Sequence, residues 1–94
     1  MSKKFLLDDG SVLEWINREC LRYTENGFSV LIWVDYEAGF FNSGRILKLS
    51  SLAAWNSKPE GSVSTIEAKK KQEIIAKVQQ YYQSDNIKCR IEES

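Results

Sequence analysis

Residues 64 to 83 form the only long helical pattern in this 94-residue chain, and almost everything before them reads as strand and turn. That imbalance restricts the architecture sharply, because one helix can cover only one face of a sheet. Ile74, Ile75, Val78, Tyr81 and Tyr82 recur at helical spacing and make a single apolar stripe. Ser64-Thr65-Ile66-Glu67 has the capping-box form, in which a hydroxyl accepts from the amide three residues on and the glutamate reaches back. Lys69, Glu73, Lys77 and Gln80 fall on the opposite side, and Glu73 and Lys77 have the favourable i, i+4 order for an ion pair. Asn86 tolerates a left-handed turn and ends the segment.

The most clearly marked strand is 28–36. Phe28, Val30, Ile32, Val34 and Tyr36 point one way, and Ser29, Leu31, Trp33 and Asp35 the other. Large apolar groups on both sides suit a central strand. Residues 45–49 read as a further strand, with the loop 37–44 between them carrying Phe40 and Phe41. Asp8-Asp9-Gly10 is a turn signal, so residues 3–7 and 11–16 read as a hairpin. Residues 11–25 are ambiguous. As a helix, Ser11 would cap, and Val12, Leu13, Ile16, Cys20 and Tyr23 would share a face. As strands, they would pair across a turn at Asn26-Gly27, the strongest short hairpin signal. Periodicity alone favours the helix slightly.

Ser50 to Ser62 links sheet to helix, with Trp55 as an anchor onto the core and Pro59-Glu60-Gly61 as a turn. After the helix, Ile87, Cys89 and Ile91 alternate with Lys88, Arg90 and Glu92. That pattern gives a half-buried strand, antiparallel to a neighbour or at an edge, with a frayed tail from Glu93.

Thirteen basic and thirteen acidic residues balance, which argues against a dedicated nucleic-acid binder. The run Lys69-Lys70-Lys71 reads as a solvated first helical turn, since no aromatic interleaving accompanies it. The chain has no histidine, which removes Ser-His and Cys-His nucleophilic schemes and most nitrogen-ligated metal sites. No phosphate-cradling glycine motif occurs. Residues 1–94 read as one domain with no signal peptide and no membrane span, which points to the cytoplasm. There Cys20 and Cys89 are expected as free thiols. No catalytic residue, cofactor or metal is expected.

Three stretches taken in order carry a resemblance. Tyr23-Thr24-Glu25-Asn26-Gly27 precedes an apolar strand, Gly44-Arg45-Ile46 leads to Trp55 and Pro59, and Ser64, Glu67 and Ile74-Ile75 open one helix before a strand at 87–91. Over roughly residues 18–92 this order resembles the bacterial immunity proteins of the Immunity protein 74 type, which are found beside polymorphic toxins and are thought to neutralise them. The resemblance implies that residues 23–27 form a hairpin connection. The expected fold is then α+β: an antiparallel meander, one C-terminal helix (about 64–83) packed on one face, and a final short strand (about 87–91). The alternative keeps a helix at 11–25, in β-α-β-β-α-β order.

On the meander reading the second sheet face must be solvated, curled over or used. Leu31, Trp33 and Asp35, with Phe40 and Phe41 nearby, are the candidate protein-interface residues. Asp35, Glu37 and Glu60 could supply an acidic rim. The resemblance implies a non-enzymatic immunity protein whose partner is a cognate toxin. The alternative is a homo-oligomeric domain, such as a homodimer, that buries Leu31 and Trp33 against a symmetry mate. An enzyme or small-ligand binder would have to rest on Asp35 and Glu37 beside the aromatic loop.

Overall fold

The structure, a computed structural model, describes residues 4–17, 19–37 and 44–92. Six strands lie in sequence order across one sheet: β1 (Lys4–Leu6), β2 (Val12–Asn17), β3 (Cys20–Glu25), β4 (Phe28–Glu37), β5 (Gly44–Lys48) and β6 (Cys89–Glu92). β1 to β5 form an antiparallel meander. A short 3-10 turn at Leu49–Leu52 and a long connection lead to α1 (Ala68–Ser84), the one α-helix among the described residues. The α+β arrangement expected from the sequence is therefore present, and residues 12–17 and 20–25 are strands.

Local chemistry explains that choice. Asn26 and Gly27 both take positive φ, 47° and 84°, so the two-residue turn closes β3 onto β4 with Glu25 opposite Phe28. A helix through 11–25 would leave one edge of β4 without its neighbour. Between Trp15 and Asn17 the register with β3 shifts by one residue, a bulge that leaves Ile16 42% exposed.

One face of the sheet packs against α1. Leu13, Leu21, Tyr23, Val30, Ile32, Val34 and Leu47 meet Ile74, Ile75, Val78, Tyr81 and Tyr82 in a single core. All five residues of the expected helical stripe are buried. An aromatic cluster closes one end. Trp15 packs against Tyr81 and Tyr82, and its indole N–H donates to Tyr81 Oη at 2.5 Å. Trp55 stacks on Tyr23 and tilts against Phe28, as expected for an anchor of the connection.

Three details differ from the sequence reading. The helix starts at Ala68, with Glu67 in the N-cap position and no side-chain capping bond. Ser64 does not cap because residues 64–66 are extended and pair with 53–55: Trp55 N–H donates to Ser64 O and Ile66 N–H to Ala53 O. That pairing buries Ile66, which a first helical turn would have turned elsewhere. Second, β6 is indeed an edge strand but runs parallel to β5, with Arg45 opposite Cys89. The crossover through α1 returns the chain to the end where β5 began, and such a connection delivers a parallel neighbour. Third, Lys77 turns toward the sheet and does not pair with Glu73; Glu73 pairs instead with Lys70. Asn86 takes φ 59° and ends the helix as expected.

The core assignment has a direct test. Leu47→Ala should cost about 3 kcal/mol through the cavity it leaves, because Leu47 is fully buried. Leu6→Ala, at a side chain 75% exposed, should change stability by less than about 0.5 kcal/mol. Val78→Asp should abolish the cooperative transition. Urea unfolding of the three variants checks this, and equal effects of the two leucine changes would refute the packing described.

Candidate interaction face

The candidate residues Leu31, Trp33 and Asp35 sit on β4, the strand held most firmly. One edge of β4 pairs with β3 from Cys20 opposite Trp33 to Glu25 opposite Phe28. The other edge pairs with β5 only from Val34 onward. Below that point the connecting segment takes over. Trp33 N–H donates to Ser51 Oγ (3.2 Å), Leu31 N–H to Asn56 Oδ1 (2.7 Å) and Ser29 N–H to Ser57 O (2.8 Å). With both edges satisfied, the facing of alternate side chains cannot slip.

Alternation then decides exposure. Val30, Ile32 and Val34 are at most 1% exposed beneath the helix, whereas Trp33 on the opposite face is 46% exposed. Leu31 and Asp35 are half-buried on that same face. Phe40 and Phe41 lie outside the described residues. Cys20 stands directly opposite Trp33 and is buried, and burial pushes its thiol up from the usual range. Cys20 and Cys89 are both free thiols.

Ion pairs flank this apolar centre. On one side Asp35 meets Lys48 Nζ at 3.0 Å, and Lys48 also reaches Glu92 at 3.9 Å. On the other, a cross-strand ladder runs Lys4, Glu14, Arg22, ending beside Leu31 in register. Arg22 is hydrogen-bonded to Glu14 and, with Lys4, holds that carboxyl below the usual carboxylate range. Asp35 and Lys48 stand partly in water, whereas Glu14 is buried between Lys4 and Arg22, and both sets neutralise the rim of the face.

A second polar group lies between the helix and the turns. Lys77 Nζ donates to Asp9 Oδ2 (2.5 Å) and Tyr23 Oη (2.7 Å), and Tyr23 Oη donates to Glu25. Lys70 Nζ bridges Glu25 and Glu73, each at 2.9 Å. Asp9 also accepts from the Ser11 hydroxyl and amide. Serine, tyrosine and lysine in contact suggest proton-transfer chemistry. The environment argues otherwise: Tyr23 is 0% exposed, and burial and the Glu25 acceptor push its phenol up, away from a usable base. This constellation is a structural clamp that ties α1 to the turn at 8–11 and to the end of β3.

No group of three or more metal-ligating side chains occurs among the described residues. No described helix is long and apolar enough to cross a membrane. Comparison with protein-family models, with curated proteins and with solved structures finds no match for this chain.

The structure thus brings Leu31, Trp33 and Asp35 onto one face of one strand. Sequence reasoning missed Ser51 and Asn56, which hold the outer edge of β4, because polar residues in a linker carry no distinguishing signal. It missed the Lys77 clamp, although Asp9-Gly10-Ser11 has the form of a turn in which Asp9 accepts from Ser11.

The clamp predicts a pH dependence. The Lys77 ammonium, then the Ser11 hydroxyl and amide, hold Asp9 well below the usual carboxylate range. A depressed carboxyl stabilises the fold above its unfolded value of about 4 and loses that contribution as pH falls. Tyr23 is raised by burial and by Glu25; Lys70 is raised by Glu73 and Glu25; Lys77, against its burial, is raised by Asp9 and Tyr23. Their contribution is complete below the unfolded values near 10 and disappears as pH rises beyond them. Lys77→Met should lower stability by about 1–2 kcal/mol at pH 7 and flatten both limbs. Urea melts from acid to alkaline pH measure this; unchanged limbs in the variant would disprove the clamp.

Proposed function

We propose that this chain is a non-enzymatic interaction protein that binds a partner protein through the sheet face around Trp33, and that the partner is a cognate toxin neutralised in the cytoplasm. The observation that carries the interaction reading is the 46% exposure of Trp33 on a strand whose backbone is paired along both edges. A tryptophan held rigidly at the surface, with Leu31 beside it and ion-paired side chains around it, has the composition of an interface hot spot with a polar rim. The immunity role rests on an order of motifs that resembles the Immunity protein 74 type. Neutralisation of this kind needs no cofactor: covering the toxin's working surface is sufficient.

A second reading has its own support. The rim carries both signs close together, as in Asp35 with Lys48. A surface that presents both charges can complement a symmetry-related copy of itself. On that reading the Trp33 face forms a homodimer.

Co-expression separates the two. If the product of the adjacent gene arrests growth and this protein restores it, the immunity reading holds. Trp33→Ala should then weaken the complex by about 2 kcal/mol, roughly thirtyfold, while the variant stays folded by circular dichroism. A harmless neighbour, or rescue that Trp33→Ala leaves untouched, defeats it. Light scattering that finds a monomer at high concentration eliminates the homodimer.

A further inference from the structure

Away from the Trp33 face, a cleft of about 500 Å³ opens where the connection meets the start of α1, lined by Glu25, Phe28, Trp55, Val63, Thr65, Glu67 and Lys70. We propose that this cleft receives a basic side chain, arginine above lysine, from a partner polypeptide. The proposal is independent of the reading of the Trp33 face.

The apolar part of the cleft suits the stem of such a side chain. Phe28 and Trp55 pack with ring centres 5.1 Å apart, and Trp55 is stacked from behind by Tyr23, so the aromatic wall is rigid. Both rings remain half-buried, with part of their surface in water. Val63, in the same lining, is 75% exposed. Aromatic walls of this kind attract a guanidinium or ammonium through the ring quadrupole, and the planar guanidinium also stacks.

The polar part selects the sign of the occupant. The lining holds two carboxylates and one ammonium. The ammonium, Lys70 Nζ, is already shared between Glu25 and Glu73 at 2.9 Å each. It therefore offers little attraction to an incoming anion. Glu67 is exposed, gives no side-chain capping bond to α1, and makes no ion pair among the described residues. It is the carboxylate left to meet a cation at the mouth of the cleft. An aliphatic stem against Phe28, Trp55 and Val63 with a positive head at Glu67 satisfies both halves of the site, which neither an acidic nor a purely apolar side chain does.

The position is also prepared by the fold. Trp55 is held by its amide on Ser64 O, and a side chain at Gly27, with φ +84°, would approach Pro59 Cγ at 3.2 Å. The turn at 26–27 and the loop at 59–61 are thus packed together beside the aromatic wall. A ligand here meets a preformed surface and orders little on binding.

The test uses the full chain labelled with 15N, following the indole N–H resonances, with Trp55 identified by a Trp55→Phe variant. A blocked Gly-Arg-Gly peptide should shift the Trp55 resonance saturably at millimolar concentration and leave Trp33 unmoved. The same peptide with citrulline, which keeps the shape and lacks the charge, should bind about two- to fivefold more weakly, the range for a partly exposed ion pair. The lysine peptide should fall between them. Glu67→Gln should abolish the difference between arginine and citrulline. No saturable shift at Trp55, equal binding of citrulline and arginine, or a preference that survives Glu67→Gln would each overturn the proposal. Because Trp33 reports separately, failure here does not bear on the interface proposed for the opposite face.

Discussion

The structure depends on the pairing of β4 along both edges. A ten-residue strand in the middle of a small sheet carries more backbone donors and acceptors than a five-residue neighbour can satisfy. β5 covers only the far half of its outer edge. The segment 51–57 covers the rest with two side chains and a stretch of backbone. Left open, that edge would invite pairing with another chain. Closing it with the connection to α1 has a second effect. It fixes the path of the linker, which delivers Leu52 and Ile66 to the core and Trp55 to the flank of Tyr23. The helix then has one place to go.

That placement explains why the polar side chains of α1 are not a simple solvated face. Lys70 and Lys77 stand at the margin of the buried stripe, where the turns at 8–11 and 25–27 approach. Lys77 finds Asp9 in the turn that Gly10 (φ 88°) permits, and Lys70 finds Glu25 at the end of β3, just before the turn that Gly27 (φ 84°) permits. The sheet thereby gains a charged seam along its rim on the helix side, and the Lys69-Lys70-Lys71 run loses its central charge to internal pairing. A patch that could have attracted phosphate is partly neutralised by the fold itself.

Those features differ in how far the sequence announced them. The helical stripe was legible to the residue, because periodicity depends only on the chain's own geometry. The turn at Asn26-Gly27 was legible as chemistry, yet local periodicity over 11–25 pointed to a helix. The conflict is resolved in favour of strands by β4, which needs a partner on its β3 side; that is a tertiary requirement invisible in a window of fifteen residues. Ser64 as a cap failed for the same kind of reason. Its capping-box pattern was correct in form, but pairing of 64–66 with 53–55 buries Ile66 and outweighs a cap contributing about 1 kcal/mol. The direction of β6 was unreadable from alternation, which has the same period in parallel and antiparallel strands. Of the candidate face, the strand alternation located Leu31, Trp33 and Asp35 together, while the ladder from Lys4 through Glu14 to Arg22 required the register of three strands.

The three tryptophans show what the far face costs. Trp15 is committed to the aromatic cluster with Tyr81 and Tyr82, and Trp55 to Tyr23 and Phe28. Trp33 alone leaves 46% of its surface in water. For a side chain that can bury up to about 250 Å², this forgoes roughly 2–3 kcal/mol of hydrophobic stabilisation. In a small domain that is an appreciable fraction of net stability. The stabilisation that folding leaves unused at Trp33 is what a docking surface can recover, because the strand beneath is already rigid and little further ordering is required. The same argument applies with less force to Leu6 and Val63, each 75% exposed but smaller and set at an edge or in a loop. On energetic grounds, then, docking on the Trp33 face would recover most at its centre on β4, with the paired charges of Asp35, Lys48, Glu14 and Arg22 as the boundary of that face.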